Sequence, residues 1–109
     1  MRHKIIWSKD AGDELAEIIS YIKYNTGKIT AEKVYTRIIN EIKSVSDNAK
    51  GMMVSPLLKE WGINYIRQIV VNPWIIYYRA DENKMEVISI IDGRRNLEEI
   101  LYKKMIDGK

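Results

Sequence analysis

The 109-residue sequence has no cysteine and a single histidine, His3. Without cysteine there is no disulfide framework, no thiolate nucleophile and no zinc site built on sulfur. One histidine argues against a histidine-rich metal centre and against a serine–histidine triad. No apolar run approaches the roughly 20 residues needed to cross a bilayer. Only Ile5, Ile6 and Trp7 follow the polar start, so no signal-peptide core is read and a cytosolic location is expected. Neither metal, cofactor nor membrane is expected to take part in function.

What is present is ordinary globular material. The chain is 46% hydrophobic and 30% charged, which suits one domain over residues 1–109. A net charge of +3 and a pI near 9.1 suggest an acidic partner. Both halves are nearly balanced in charge, so any basic patch must be assembled by folding.

The stretch His3–Trp7 is β-branched and short, and predicts a strand. Ser8 is placed to cap a helix over Lys9 to about Tyr24. Asp10, Asp13 and Glu14 lie near the positive end of its dipole, and Ala11, Leu15, Ile18, Ile19 and Ile22 form one stripe. Asn25-Thr26-Gly27 stops it. Thr30 is expected to cap a second helix carrying Ala31, Val34, Tyr35, Ile38, Ile42 and Val45, with Lys33, Arg37 and Lys43 on its wet side; the short link makes the two an antiparallel hairpin. From Ala49 to Gly62 no period emerges, apart from one candidate helical turn at Leu57–Glu60. Met52-Met53 reads as filler beneath this loop. Three strands follow, Tyr65–Val71, Trp74–Ala80 and Met85–Ile91, separated by turns at Asn72-Pro73 and Asp81–Lys84. Asn96 is placed to cap a last helix.

Turn centres fix a register, because residue pairs across a hairpin sum to a constant. Arg67 should face Tyr78, Tyr78 should face Val87, and Arg79 should oppose Glu86 as an ion pair. Trp74, Ile76, Ser89 and Ile91 should share the side of Arg67 and Tyr78. The other side, with Val70, Ile75, Tyr77, Ile88 and Ile90, is more uniformly aliphatic, so the helix hairpin is expected there. The Arg67–Tyr78 side would then be open and concave.

Candidate functional residues emerge from charge in awkward places. Arg67 lies mid-strand, where a cation must face water, a carboxylate or an anionic ligand. Arg94 and Arg95 follow the last strand in Ile91-Asp92-Gly93-Arg94-Arg95. Adjacent cations repel, so they are either solvated loop charges or a guanidinium fork for carboxylate or phosphate. Tyr78 is either a packing residue with its hydroxyl at the rim or a group that meets a ligand. Trp74 and Tyr77 read as packing, and His3 as inert.

The run "RQIVVNPWIIYYRAD" leading into "VISIIDGRRNLEEIL", after a β-α-α opening, resembles the RelE/ParE superfamily of type II toxins. Arg67, Pro73, Trp74, Tyr78, Arg79, Asp81, Gly93, Arg94, Arg95 and Leu97 stand at the family's places, as do Trp7-Ser8, Ala11, Leu15, Ile18 and Tyr21-Ile22. The ParE-like plasmid-stabilisation branch looks most similar. The resemblance implies an α+β fold of order β-α-α-β-β-β(-α), with an antiparallel twisted sheet and the helix hairpin on one face. One departure stands out. Asp92 occupies a place where the family usually has histidine; near its ordinary pKa of about 4 it is anionic and repels phosphate. Capping the last helix or pairing with a neighbouring arginine suits it better.

Three functions are implied by the resemblance. A ParE-like toxin inhibits DNA gyrase by binding, with Arg67, Trp74, Asp92, Arg94 and Arg95 as target- or antitoxin-binding residues. A RelE-like toxin is a ribosome-dependent mRNA endonuclease; Arg67, Tyr78 and Arg94 would then stabilise charge as the ribose 2′-hydroxyl attacks its phosphate. A silenced relic would survive as an antitoxin-binding co-repressor. All three imply a small, acidic cognate antitoxin that folds on the toxin as a hetero-oligomer, with gyrase or the ribosome and its mRNA as target. The geometric expectation is that Arg67 converges with Arg94 and Arg95 on one hollow.

Overall fold

The computed structural model describes residues 2–107. In chain order these form β1 (Lys4–Trp7), α1 (Lys9–Thr26), α2 (Lys28–Val45), a 3-10 turn at Ser46–Asn48, α3 (Pro56–Glu60), β2 (Arg67–Val71), β3 (Trp74–Ala80), β4 (Lys84–Asp92) and α4 (Leu97–Met105). Among them no helix is long and apolar enough to cross a membrane.

Ser8 does what its position predicts and more. Its Oγ accepts from the Ala11 N–H at 3.0 Å, satisfying an orphan donor of the helix start. The same hydroxyl donates to the Ile88 carbonyl at 2.8 Å, which ties α1 to β4. Both hairpin helices run further than their periodicity suggested and meet at Gly27. The Asn25 and Thr26 side chains donate back to the Tyr21 and Ile22 carbonyls, each at 2.8 Å, and so extend α1. Gly27 then turns the chain at φ 104°, a left-handed geometry that disfavours a side chain.

The sheet has the order β1-β4-β3-β2. Strands β2, β3 and β4 form the expected antiparallel meander, and β1 adds to β4 in parallel, so the α+β architecture carries a mixed sheet. The expected pairs Arg67–Tyr78, Tyr78–Val87 and Arg79–Glu86 are all present. Arg79 Nε donates to Glu86 Oε1 at 2.8 Å. Between Tyr77 and Tyr78 the β3–β4 register shifts: Tyr77 pairs with Ser89 while Tyr78 pairs with Val87, leaving Ile88 as the extra residue of a bulge. Beyond it Trp74 faces Asp92 and Ile76 faces Ile90.

That one residue reassigns the far half of β4, and the face expected to hold the hairpin must be corrected. Helices α1 and α2 pack on the side of Ile69, Val71, Ile76, Tyr78, Val87 and Ile90, through Ala11, Leu15, Ile38, Ile42 and Val45. The Arg67–Tyr78 side is therefore covered, not open. The opposite side, with Tyr77 and Ile91, carries a second core built by Leu58 of α3, Ile66 and Leu101 of α4. A T-shaped contact between Trp61 and Tyr102, centroids 5.8 Å apart, joins the α3 end to α4. With both faces covered, aliphatic uniformity does not tell which cover lies where.

Candidate functional site

The Asn72-Pro73 turn and the chain leaving β4 lie side by side, because Trp74 pairs with Asp92. Gly93 makes that approach feasible. Its N–H donates to the Pro73 carbonyl at 2.7 Å, and a Cβ there would stand 3.1 Å from the same oxygen. Immediately after it, Asp92 folds back on Arg94. Oδ1 accepts from the Arg94 N–H at 2.9 Å and from Nε at 3.0 Å, and Oδ2 accepts from Nη2 at 2.6 Å. This fork holds the Asp92 carboxyl well below the usual carboxylate range, at about 2. Asp92 is thus the partner of Arg94, while Asn96 caps α4 by accepting from the Glu99 N–H. Arg95 donates its backbone N–H to the Asp92 carbonyl, and its exposed guanidinium has no carboxylate partner among the described residues.

These residues stand on one wall of a groove of about 770 Å³. Its floor is the end of the sheet, with Trp74, Ile90 and Ile91; the roof is the hairpin, with Ile18, Tyr21, Ile22, Thr26, Thr30 and Val34. Glu14 and Glu17 of α1 line it as well. The groove opens where the α1 stripe runs on past its buried part. The α1 stripe is buried at Ala11 and Leu15, then continues through half-exposed Ile18 and Ile22 to Tyr21, 71% exposed, with nothing to complete its cover.

One residue that lines the groove, Glu14, and one beside it, Arg37, were not singled out as functional by sequence. Arg37, expected on the wet side of α2, lies over Trp74 with its guanidinium carbon 5.9 Å from the ring centroid, and donates to the Asn72 carbonyl at 2.7 Å. Its place between Val34 and Ile38, on the flank of the buried stripe, was the available signal. Glu14, expected as a dipole partner, accepts from Ser89 Oγ at 2.8 Å and from the Ile90 N–H at 3.0 Å, and pairs with Lys104 of α4 at 2.8 Å.

Of the residues proposed from sequence, Trp74, Asp92, Arg94 and Arg95 come together here; Arg67 and Tyr78 do not. Tyr78 is fully buried, its hydroxyl donates to the Ala49 carbonyl at 2.6 Å, and burial pushes its pKa up to about 12 against the opposing influence of Arg67. Arg67 Nη1 donates to the Met52 carbonyl. Strand spacing puts Arg67 on the order of 16 Å from Asp92, four residues along the sheet and two strands over, at the strand end where the turn carrying the arginine pair begins. The expected convergence on one hollow is corrected accordingly. His3 joins two carbonyls, those of Ser46 and Asp81.

Comparison with known proteins now adds to the geometry. Residues 5–97 match the family model for the ParE toxin of the type II toxin-antitoxin system, parDE. The chain belongs to the ParE toxin family. Solved structures agree in fold: a chain of the chromosomal ParDE TA system from P. aeruginosa superposes with a TM-score of 0.70 at 17% identity, over 84% of this chain and 96% of that one. No curated protein sequence matches. Membership of the ParE family implies a cognate antitoxin as partner.

Proposed function

We propose that this ParE-family chain is a toxin that acts by protein binding, inhibits DNA gyrase, and is neutralised by an antitoxin segment lying in the groove. The observation that carries the reading is the unfinished stripe of α1, whose Ile18, Tyr21 and Ile22 face Trp74 across a groove rimmed by charge. A rimmed apolar groove of this kind suits an amphipathic helix or an extended segment. The mRNA-cleaving reading has less support from the side chains. Its three charge-stabilising groups are engaged internally, Arg67 on Met52, Tyr78 on Ala49 and Arg94 on Asp92.

The test is a supercoiling assay with purified gyrase. Wild-type protein should inhibit, and Arg94→Ala/Arg95→Ala should lose at least tenfold in potency while its melting temperature moves by no more than about 5 °C, since two exposed substitutions together typically cost ~1 kcal/mol or less. Absence of inhibition at large molar excess would remove gyrase as the target. Toxin-dependent cuts in the A-site codon on translating ribosomes would put mRNA cleavage in its place, and growth without arrest would favour the co-repressor relic.

A further inference from the structure

We infer that Asp92 is a resident carboxylate that keeps Arg94 occupied, and that Arg95 is the cation that reads an acidic side chain of the antitoxin segment. This rests on the reading that the groove receives that segment. Two neighbouring arginines look equivalent in sequence, but the turn divides their roles. Arg94 gives Nε and Nη2 to the two oxygens of one carboxylate, the same two-pronged bond that an incoming Asp or Glu would need. Its partner is two residues away on the same chain and is held by a third bond from the backbone, so a ligand carboxylate competes against a high effective concentration.

Arg37 and Lys104, the cations beside the groove among the described residues, are engaged too, Lys104 by Glu14. Arg37 bonds the Asn72 carbonyl and lies over Trp74. Arg95 is different: its backbone is fixed by the bond to the Asp92 carbonyl, while its side chain is exposed on the groove wall and unmatched among the described residues. Of the α1 glutamates that line the groove, Glu14 is bonded to Lys104, Ser89 and Ile90, whereas Glu17 is exposed with no bonded partner among the described residues. Among the described residues the groove therefore offers one free cation, Arg95, and one free carboxylate, Glu17. A segment with an apolar face, one carboxylate placed to meet Arg95 and one cation placed to meet Glu17 fits it in a single orientation.

The experiment is calorimetric titration of the full chain with the antitoxin encoded beside its gene, at two salt concentrations. Arg95→Ala should weaken binding tenfold or more and flatten the salt dependence. Arg95→Gln, which keeps the stem and a polar head, should lose as much, assigning the loss to charge. The neutral double variant Asp92→Asn/Arg94→Gln should change affinity less than threefold, and Asp92→Asn alone, which frees Arg94, should tighten it severalfold. Equal losses for Arg95→Ala and the double variant, or no gain for Asp92→Asn, would overturn the division of roles. If the wild-type chain bound no antitoxin, the groove reading itself would fall; if it bound tightly and Arg95→Ala bound as well, only the assignment to Arg95 would.

Discussion

Tyr78→Ala should unfold the protein rather than disarm it. The ring is fully buried among Ile69, Ile76, Val87 and the helices above them. Truncating such an aromatic costs about 3–5 kcal/mol, against the ~5–15 kcal/mol that typically holds a domain together. At roughly 4 °C or more per kcal/mol, the melting temperature should fall by at least about 12 °C. Tyr78→Phe separates packing from chemistry. It keeps the ring and removes the bond to the Ala49 carbonyl, costing about 1–3 kcal/mol, and should leave gyrase inhibition intact. A folded Tyr78→Phe protein without toxicity would instead restore the hydroxyl to an active role. The pH dependence follows from the same burial, which pushes Tyr77 and Tyr78 up to about 12. A folded-state pKa above the unfolded value of ~10 means that the contribution is whole below pH ~10 and is lost as pH rises through 12. It amounts to roughly 3 kcal/mol for each hydroxyl, so an alkaline melt should steepen in that window. Tyrosinate absorbance should show two late-ionising tyrosines, and one in Tyr78→Phe.

Glu14→Ala should destabilise by about 3 kcal/mol, although Glu14 lies on an amphipathic helix where a surface glutamate would be nearly neutral. Strand β1 ends at Trp7 opposite Val87, so beyond that point β4 has no strand neighbour on this side. Glu14 supplies the missing acceptor. One oxygen takes the Ile90 N–H and the Ser89 hydroxyl, and the other pairs with Lys104, both side chains being only 22% exposed. Removing it strands the Ser89 and Ile90 donors and takes one of the two carboxylates from Lys104. Lys104 also reaches Asp10 at 3.2 Å, so the same network docks α4 against α1. Glu14→Gln should cost less, since an amide oxygen still accepts. Combining Glu14→Ala with Lys104→Ala should cost about 1–2 kcal/mol less than the sum of the single changes, as expected for directly coupled partners. Additive costs in a chemical-denaturation cycle would mean that the pair does not act as a unit.

The legible parts of this fold are those with local causes. Ser8 and Asn96 each stand where a helix start needs an acceptor, and the Asn72-Pro73 and Asp81–Lys84 turns fix the Arg67–Tyr78 and Arg79–Glu86 pairs. Asp92 was readable as a partner for a neighbouring arginine because an anion beside two cations has few better options. The bulge at Ile88 was hidden, since an extra apolar residue in an apolar strand changes no pattern while moving Ser89, Ile90 and Ile91 to opposite faces. The two-sided cover was also hidden: α3 is five residues long, and its packing with α4 depends on contacts distant in sequence. Placing Arg67 away from the arginine pair required both facts. The groove itself joins α1, α2, the Asn72-Pro73 turn and the end of β4, a juxtaposition that no local signal announces.

The most direct measurement is amide hydrogen exchange of the toxin, free and bound to its antitoxin. New protection across Ile18–Thr30 and Ile90–Arg95, the two sides of the groove, is the expected result. Protection confined instead to Ala49–Arg67, around the buried ends of Tyr78 and Arg67, would contradict it.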